Sequence, residues 1–136
     1  MFCNVNIWAL LVATIASLIV STVWYSDFVL GKKWRSYMGN LFLTKPSNKD
    51  MVKMFGIQFI LSLITNFGIA RALVYTGTFS WVSAISVAIA IWIAFVAVIE
   101  GSAIVWEKKP WKLVVINSGL YLIVFIVSAI ILALWR

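Results

Sequence analysis

Four apolar runs dominate the chain: Ile7 to Tyr25, Met54 to Ala70 with an extension to Tyr75, Val82 to Ile99 with an extension to Val105, and Leu113 to Leu134. A hydrocarbon core of about 30 Å takes roughly 20 helical residues, and inside lipid a backbone must satisfy its own hydrogen bonds. Each run therefore reads as a membrane-spanning helix. With 64% of the 136 residues hydrophobic and 11% charged, the chain has too little polar side chain to clothe a soluble domain, which excludes a soluble enzyme. The expectation is one all-α transmembrane domain over 1–136, with helices at about 5–30, 49–75, 80–106 and 111–135. Ser47 and Asp50 form a Ser-x-x-Asp capping pattern, Gly77 and Thr78 break the second gap, and Pro110 opens the fourth helix.

Threading follows from the basic residues. Lys32, Lys33, Arg35, Lys45, Lys49 and Lys53 crowd the first loop and Lys108, Lys109 and Lys112 the third, against Arg71 and Arg136 on the other side. Short Lys- and Arg-rich loops stay in the cytoplasm, so both termini are expected outside and both basic loops inside. The start, Met1 to Asn6, has no basic region and no small-residue cleavage site follows, so no removable signal peptide is read. Tryptophan agrees with this threading: Trp8, Trp81 and Trp135 fall at one interface and Trp24, Trp34, Trp106 and Trp111 at the other, with Trp92 alone in mid-span. After helix one, Lys32, Lys33, Trp34, Arg35 and Tyr37 suit a short interfacial helix on the headgroups. Lys32, Lys33 and Arg35 there are expected to meet anionic lipid, each worth about 1 kcal/mol. Anionic lipid explains this basic loop more simply than nucleic acid does.

Small and weakly polar residues run in stripes along the helices. Ser83, Ser86, Ala90, Ala94, Ala97 and Gly101 share one face of the third, Thr14, Ser17, Ser21 and Tyr25 one side of the first, Gln58, Ser62, Thr65 and Asn66 the second, and Asn117, Tyr121 and Ser128 the fourth. Such stripes are the usual packing seams between membrane helices. Among ionisable residues, Glu100 stands six positions before Trp106, about 9 Å below the interface. Asn117 lies at the same depth, and Gln58, Tyr121 and Tyr25 complete a candidate polar layer around the carboxylate. Asp27 and Arg71 read as interfacial charges, Asp27 pairing with the following basic residues and Arg71 snorkelling to headgroups or meeting the C-terminal carboxylate of Arg136.

With Cys3 as the single cysteine and no histidine, a disulfide and the usual zinc, haem and iron-sulfur ligand sets are excluded. No nucleotide loop, Ser-His pair or close carboxylate pair is present, so no catalytic residue and no cofactor is expected.

Trp24-Tyr25-Ser26, Gly31-Lys32-Lys33-Trp34, Met38-Gly39, Trp92 with Phe95, Pro110-Trp111-Lys112, Ile116-Asn117-Ser118-Gly119 and the terminal Ile131 to Trp135 together resemble the small prokaryotic membrane proteins grouped as domain of unknown function 1761. The resemblance covers nearly the whole chain and implies a four-helix inner-membrane protein of unestablished molecular role. The chain departs from that pattern at Asp27, where the family tends to have Pro, and at Leu120-Tyr121, where Tyr-His is expected. No histidine is therefore present there for a shared proton or metal role.

Two functions fit these residues. The first is a structural or interaction bundle that self-associates or binds a membrane partner through its small-residue faces. The alternative is an oligomeric channel or transporter for a small solute or ion that uses the Glu100 layer. The discriminating feature is water. A transport path needs the Glu100 layer in a cavity, whereas a seam needs it dry and hydrogen-bonded.

Overall fold

The structure is a computed structural model that describes residues 5–26, 29, 33, 34, 36, 48–78 and 80–135. Among these residues the protein is all-helical. Helix α1 spans Ile7–Trp24, α2 Asn48–Tyr75, α3 Trp81–Trp106 and α4 Trp111–Leu134, and each is long and apolar enough to cross a membrane. The ends are set by short-range chemistry. Asn6 Oδ1 accepts from the amides of Trp8 (2.9 Å) and Ala9 (3.3 Å) to cap α1, and Ser80 Oγ accepts from the Ser83 amide to cap α3. Helix α2 closes with the Thr78 amide donating to the Leu73 carbonyl and the Gly77 amide to that of Val74. This paired closure requires the left-handed φ of +62° that Gly77 adopts without strain.

Helix α4 is the hub, packed against all three other helices, while α1 packs on α2 and the α2–α3 contact is slight. Two indoles fasten the hub. Trp24 Nε1 donates to the Ile116 carbonyl at 3.0 Å and Trp92 Nε1 to the Ser118 carbonyl at 2.8 Å, so α1 and α3 are each pinned to the same turn of α4. A tryptophan N–H away from water needs such a partner, and these carbonyls supply it. Gly119 makes the approach possible, because a Cβ there would lie 3.3 Å from Trp24 Cζ2. Trp24 is thus a clamp between helices as well as an end marker. The large aromatics Trp8, Trp81, Trp106 and Trp111 stand exposed at the helix ends.

The packed core occupies one half of the bundle. It joins Ala9 and Ala13 of α1, Ile69, Ala70 and Leu73 of α2, Ala84 and Ala88 of α3, and Phe125, Ala129, Leu132 and Ala133 of α4. At its edge lies a polar node. Thr14 and Ser17 give their hydroxyl protons to the carbonyls of Leu10 and Ala13, both at 2.8 Å, and their oxygens then accept from Asn66 Nδ2, each at 3.3 Å. Ser128 of α4 adds a 3.2 Å hydroxyl contact to Ser17. With the Ser17 proton already committed, Ser128 is the donor.

Three expectations change. Helix α1 ends at Trp24 rather than near residue 30, because the Ser26 hydroxyl takes the Val23 carbonyl at 2.6 Å and the chain turns at Tyr25. The small-residue face of α3 is not its inner seam. Ala84 and Ala88 face α4, and Ser83, Ser86, Ala90 and Ala94 point out of the bundle, because the Trp92 bond to Ser118 decides which face turns inward. The third change is a π-helical turn at Trp92–Ala97 inside α3, in a stretch with no glycine or proline to announce it. Of the expected interfacial helix, Lys33, Trp34 and Ser36 are helical, with the Trp34 ring 4.9 Å from that of Tyr25. Asp27, Lys32, Arg35, Ser47 and Arg136 lie outside the described residues.

The clamp predicts an asymmetry between glycines. Gly119→Leu is expected to destabilise the bundle by about 1–3 kcal/mol through overpacking against Trp24. Gly56→Leu, where a Cβ meets nothing within 4 Å, is expected to leave the melting temperature in detergent within error of the parent. Equal melting of the two variants would contradict the packing.

Candidate functional site

Toward the opposite end the packing opens into a cleft on one side of α4. All four helices line a cavity of about 330 Å³ between the polar node and the Glu100 layer. Ser17 and Ser21 come from α1, Gln58, Ser62 and Asn66 from α2, Glu100 with Phe95 from α3, and Tyr121 and Phe125 from α4. A second space of about 430 Å³ shares Ser21, Gln58 and Tyr121 with the first and continues between α1 and α2 past Tyr25 to Met54 and Met51. Along α2 the lining residues recur every three or four positions from Met51 to Asn66, a stripe about 22 Å long. The two spaces in series therefore run from the start of α2 to the middle of the bundle and stop at the Asn66 node.

The layer expected from the sequence is drawn together around this hollow. Glu100, Gln58 and Tyr121 line the cavity, and Tyr25 lines its continuation. Asn117 lies behind Tyr25 rather than in the wall, its Oδ1 accepting the Tyr25 hydroxyl at 2.7 Å. Gln58 Nε2 donates to Ser62 Oγ at 3.3 Å, one turn along α2. Glu100 is half-buried and lies within electrostatic reach of Tyr121 and Tyr25. Among the described residues its carboxylate receives no hydrogen bond and no ion pair, and no Lys or Arg lines either space. Arg71 lines neither space: its guanidinium sits 4.7 Å from the centre of the Tyr75 ring.

The π turn explains how Glu100 comes to face inward. Such a turn absorbs about one extra residue, so everything after it is rotated by about 100° relative to a regular helix. An unbroken α-helix would set Glu100 about 80° away from the direction of Trp92, and the π turn brings it within about 20° of that direction. Trp92 points at α4, and Glu100 follows it into the bundle.

Asn66 and Ser62 stand on the expected polar face of α2, yet their place in the site was not foreseeable from that stripe. Asn66 is 1% exposed, and its Oδ1 has no hydrogen-bond partner among the described residues. The amide orientation is settled by its neighbours. The hydroxyl protons of Thr14 and Ser17 are spent on α1 carbonyls, so only the Nδ2 side can face them, and the Oδ1 side is the one left over. An unsatisfied buried acceptor costs about 1–3 kcal/mol unless something else occupies the space beside it.

Four long apolar helices, packed at one end of the bundle and open in a cleft at the other, give the architecture of a multi-pass membrane protein with an internal site. The chain belongs to the family described as protein of unknown function DUF1761, whose model matches residues 8–133. No curated protein and no solved structure shows a significant match to it.

The π turn yields a direct check. A cysteine introduced as Glu100→Cys is expected to react with a small water-borne thiol reagent. Deleting Ile93 alone is expected to leave that reaction intact, because seven regular residues after Trp92 also end within about 20° of its direction, whereas deleting Ile93 and Ala94 together turns the position about 120° away and is expected to slow the reaction at least tenfold. Loss of labelling after the single deletion would contradict this account of how the residue is aimed.

Proposed function

We propose that this protein binds a small solute within the membrane and belongs functionally with channels and transporters, using the Glu100 layer as its site. The observation that carries this reading is the cavity itself: polar side chains from all four helices converge on a carboxylate that has no partner among the described residues. Ionisable groups in the bilayer are costly and are kept facing cavities where they serve a path. A purely structural seam would have filled the layer with packed side chains, as the other half of the same bundle does. In this reading the basic loops lie in the cytoplasm of a prokaryotic cell, Lys32, Lys33 and Arg35 rest on anionic headgroups, and the cleft opens toward that side.

A second reading keeps one observation of its own. Ser83, Ser86, Ala90 and Ala94 form an exposed small-residue face on α3, and such faces let membrane helices approach closely. Self-association through α3 is thus supported as an assembly mode, with or without transport. Cross-linking of an Ala90→Cys variant into dimers in native membranes is its test, and failure to cross-link there argues against it.

The transport reading is tested by flux in proteoliposomes with a panel of cations, anions and protons. Flux is expected for the parent chain, reduced at least tenfold by Glu100→Gln. An inert parent chain, correctly folded, would return the protein to the interaction class. The threading is tested separately. A cysteine placed at Thr78 is expected to be labelled by an impermeant thiol reagent in intact cells and one at Lys109 shielded, and the reverse pattern would overturn the topology.

A further inference from the structure

We propose that the solute is an organic ammonium ion with a hydrophobic body of about one ring, held with its charge at Glu100. This rests on reading the cavity as a solute site and goes further by assigning the ligand's charge and size.

Charge comes first. Glu100 is the one ionisable carboxylate in the described wall, and no basic side chain shares the space with it. Lys109 stands 3.3 Å from Glu107. Arg71 is stacked on Tyr75 in the other half. A carboxylate at this depth needs either a proton or a counter-cation, and the cavity has room for the latter.

The rest of the wall selects among cations. A bare metal ion takes six or more oxygen ligands and gains nothing from apolar walls. Here Phe95, Phe125 and Tyr121 present aromatic rings, and Leu61, Val96 and Ile99 supply aliphatic surface. Rings attract a cation through their faces, and apolar surface shelters a hydrophobic body. A volume of about 330 Å³ stands at the small end of ligand cavities, which suits a single-ring or short-chain amine. Access is lateral as well as axial. Leu61, Phe95 and Ile99 are more than half exposed where α2 and α3 barely touch, so an amphipathic cation dissolved in the bilayer can reach Glu100 from the side.

The test is calorimetric titration of the full chain in nanodiscs of neutral lipid at pH 7, with empty discs subtracted. Four probes share one body: 4-phenylbutylammonium, its N-trimethyl analogue, 4-phenylbutanol and 4-phenylbutanoate. The primary ammonium is expected to bind saturably and at least tenfold more tightly than the alcohol, with the carboxylate excluded. Glu100→Gln is expected to bring the ammonium to the level of the alcohol, and Glu100→Asp to keep the preference. The N-trimethyl analogue, which carries the charge without an N–H, is expected to bind more tightly than the alcohol as well. If a variant fails to fold by circular dichroism, the comparison of the four probes on the parent chain decides. Binding of the alcohol or the carboxylate as tight as that of the ammonium overturns the cation assignment and leaves a solute site. No saturable binding of any probe to a folded parent chain overturns both.

Discussion

Two indole N–H groups, donated by Trp24 and Trp92 to neighbouring carbonyls on one turn of α4, determine how the bundle is put together. In hydrocarbon a donor has no water to fall back on, so each indole has to find a carbonyl, and the pairing fixes both the rotation and the depth of its helix. Because both bonds end on the same turn, α1 and α3 flank α4 and are held apart from one another. Helix α2 then has to close a gap wider than its side chains can fill at that level. The hollow is the geometric residue of this arrangement, and the dense half beyond the Asn66 node is where small residues let all the helices come together.

Several of the residues that gave the chain its family resemblance meet in this joint. Ile116 and Ser118 lend their carbonyls, Asn117 takes the Tyr25 hydroxyl, and Gly119 leaves room for the Trp24 ring. Trp24, Tyr25 and Trp92 are their partners. The motif positions thus carry one mechanical task, fastening α1 and α3 to α4, and the carboxylate is positioned as a consequence of that task.

Much of this was legible in the sequence because it depends on local chemistry. Apolar runs of sufficient length, with Gly77 after the second and Pro110 before the fourth, set the end of α2 and the start of α4 where the structure has them, and counting about 1.5 Å per residue inward from Trp106 and Trp111 places Glu100 and Asn117 in one layer with Gln58, Tyr121 and Tyr25. What could not be read depends on which of two competing faces wins. Helix α3 carries small residues on two sides, Ala84 with Ala88 and Ser83 with Ser86 and Ala90, and only the bond from Trp92 to a distant carbonyl chooses between them. The π turn is equally silent, since Trp92–Ala97 holds only residues at home in an ordinary helix. Asn66 stands on the polar face that its spacing implies, but its orphaned oxygen emerges only when the hydroxyls of α1 are seen already committed.

That commitment also bears on proton transfer. Proton hopping along a chain of hydroxyls requires each one to release the proton it holds and turn to accept another. Thr14 and Ser17 are each tethered by their own proton to a carbonyl of the same helix. Among the described residues the node at the floor of the hollow therefore offers no hydroxyl whose proton is uncommitted.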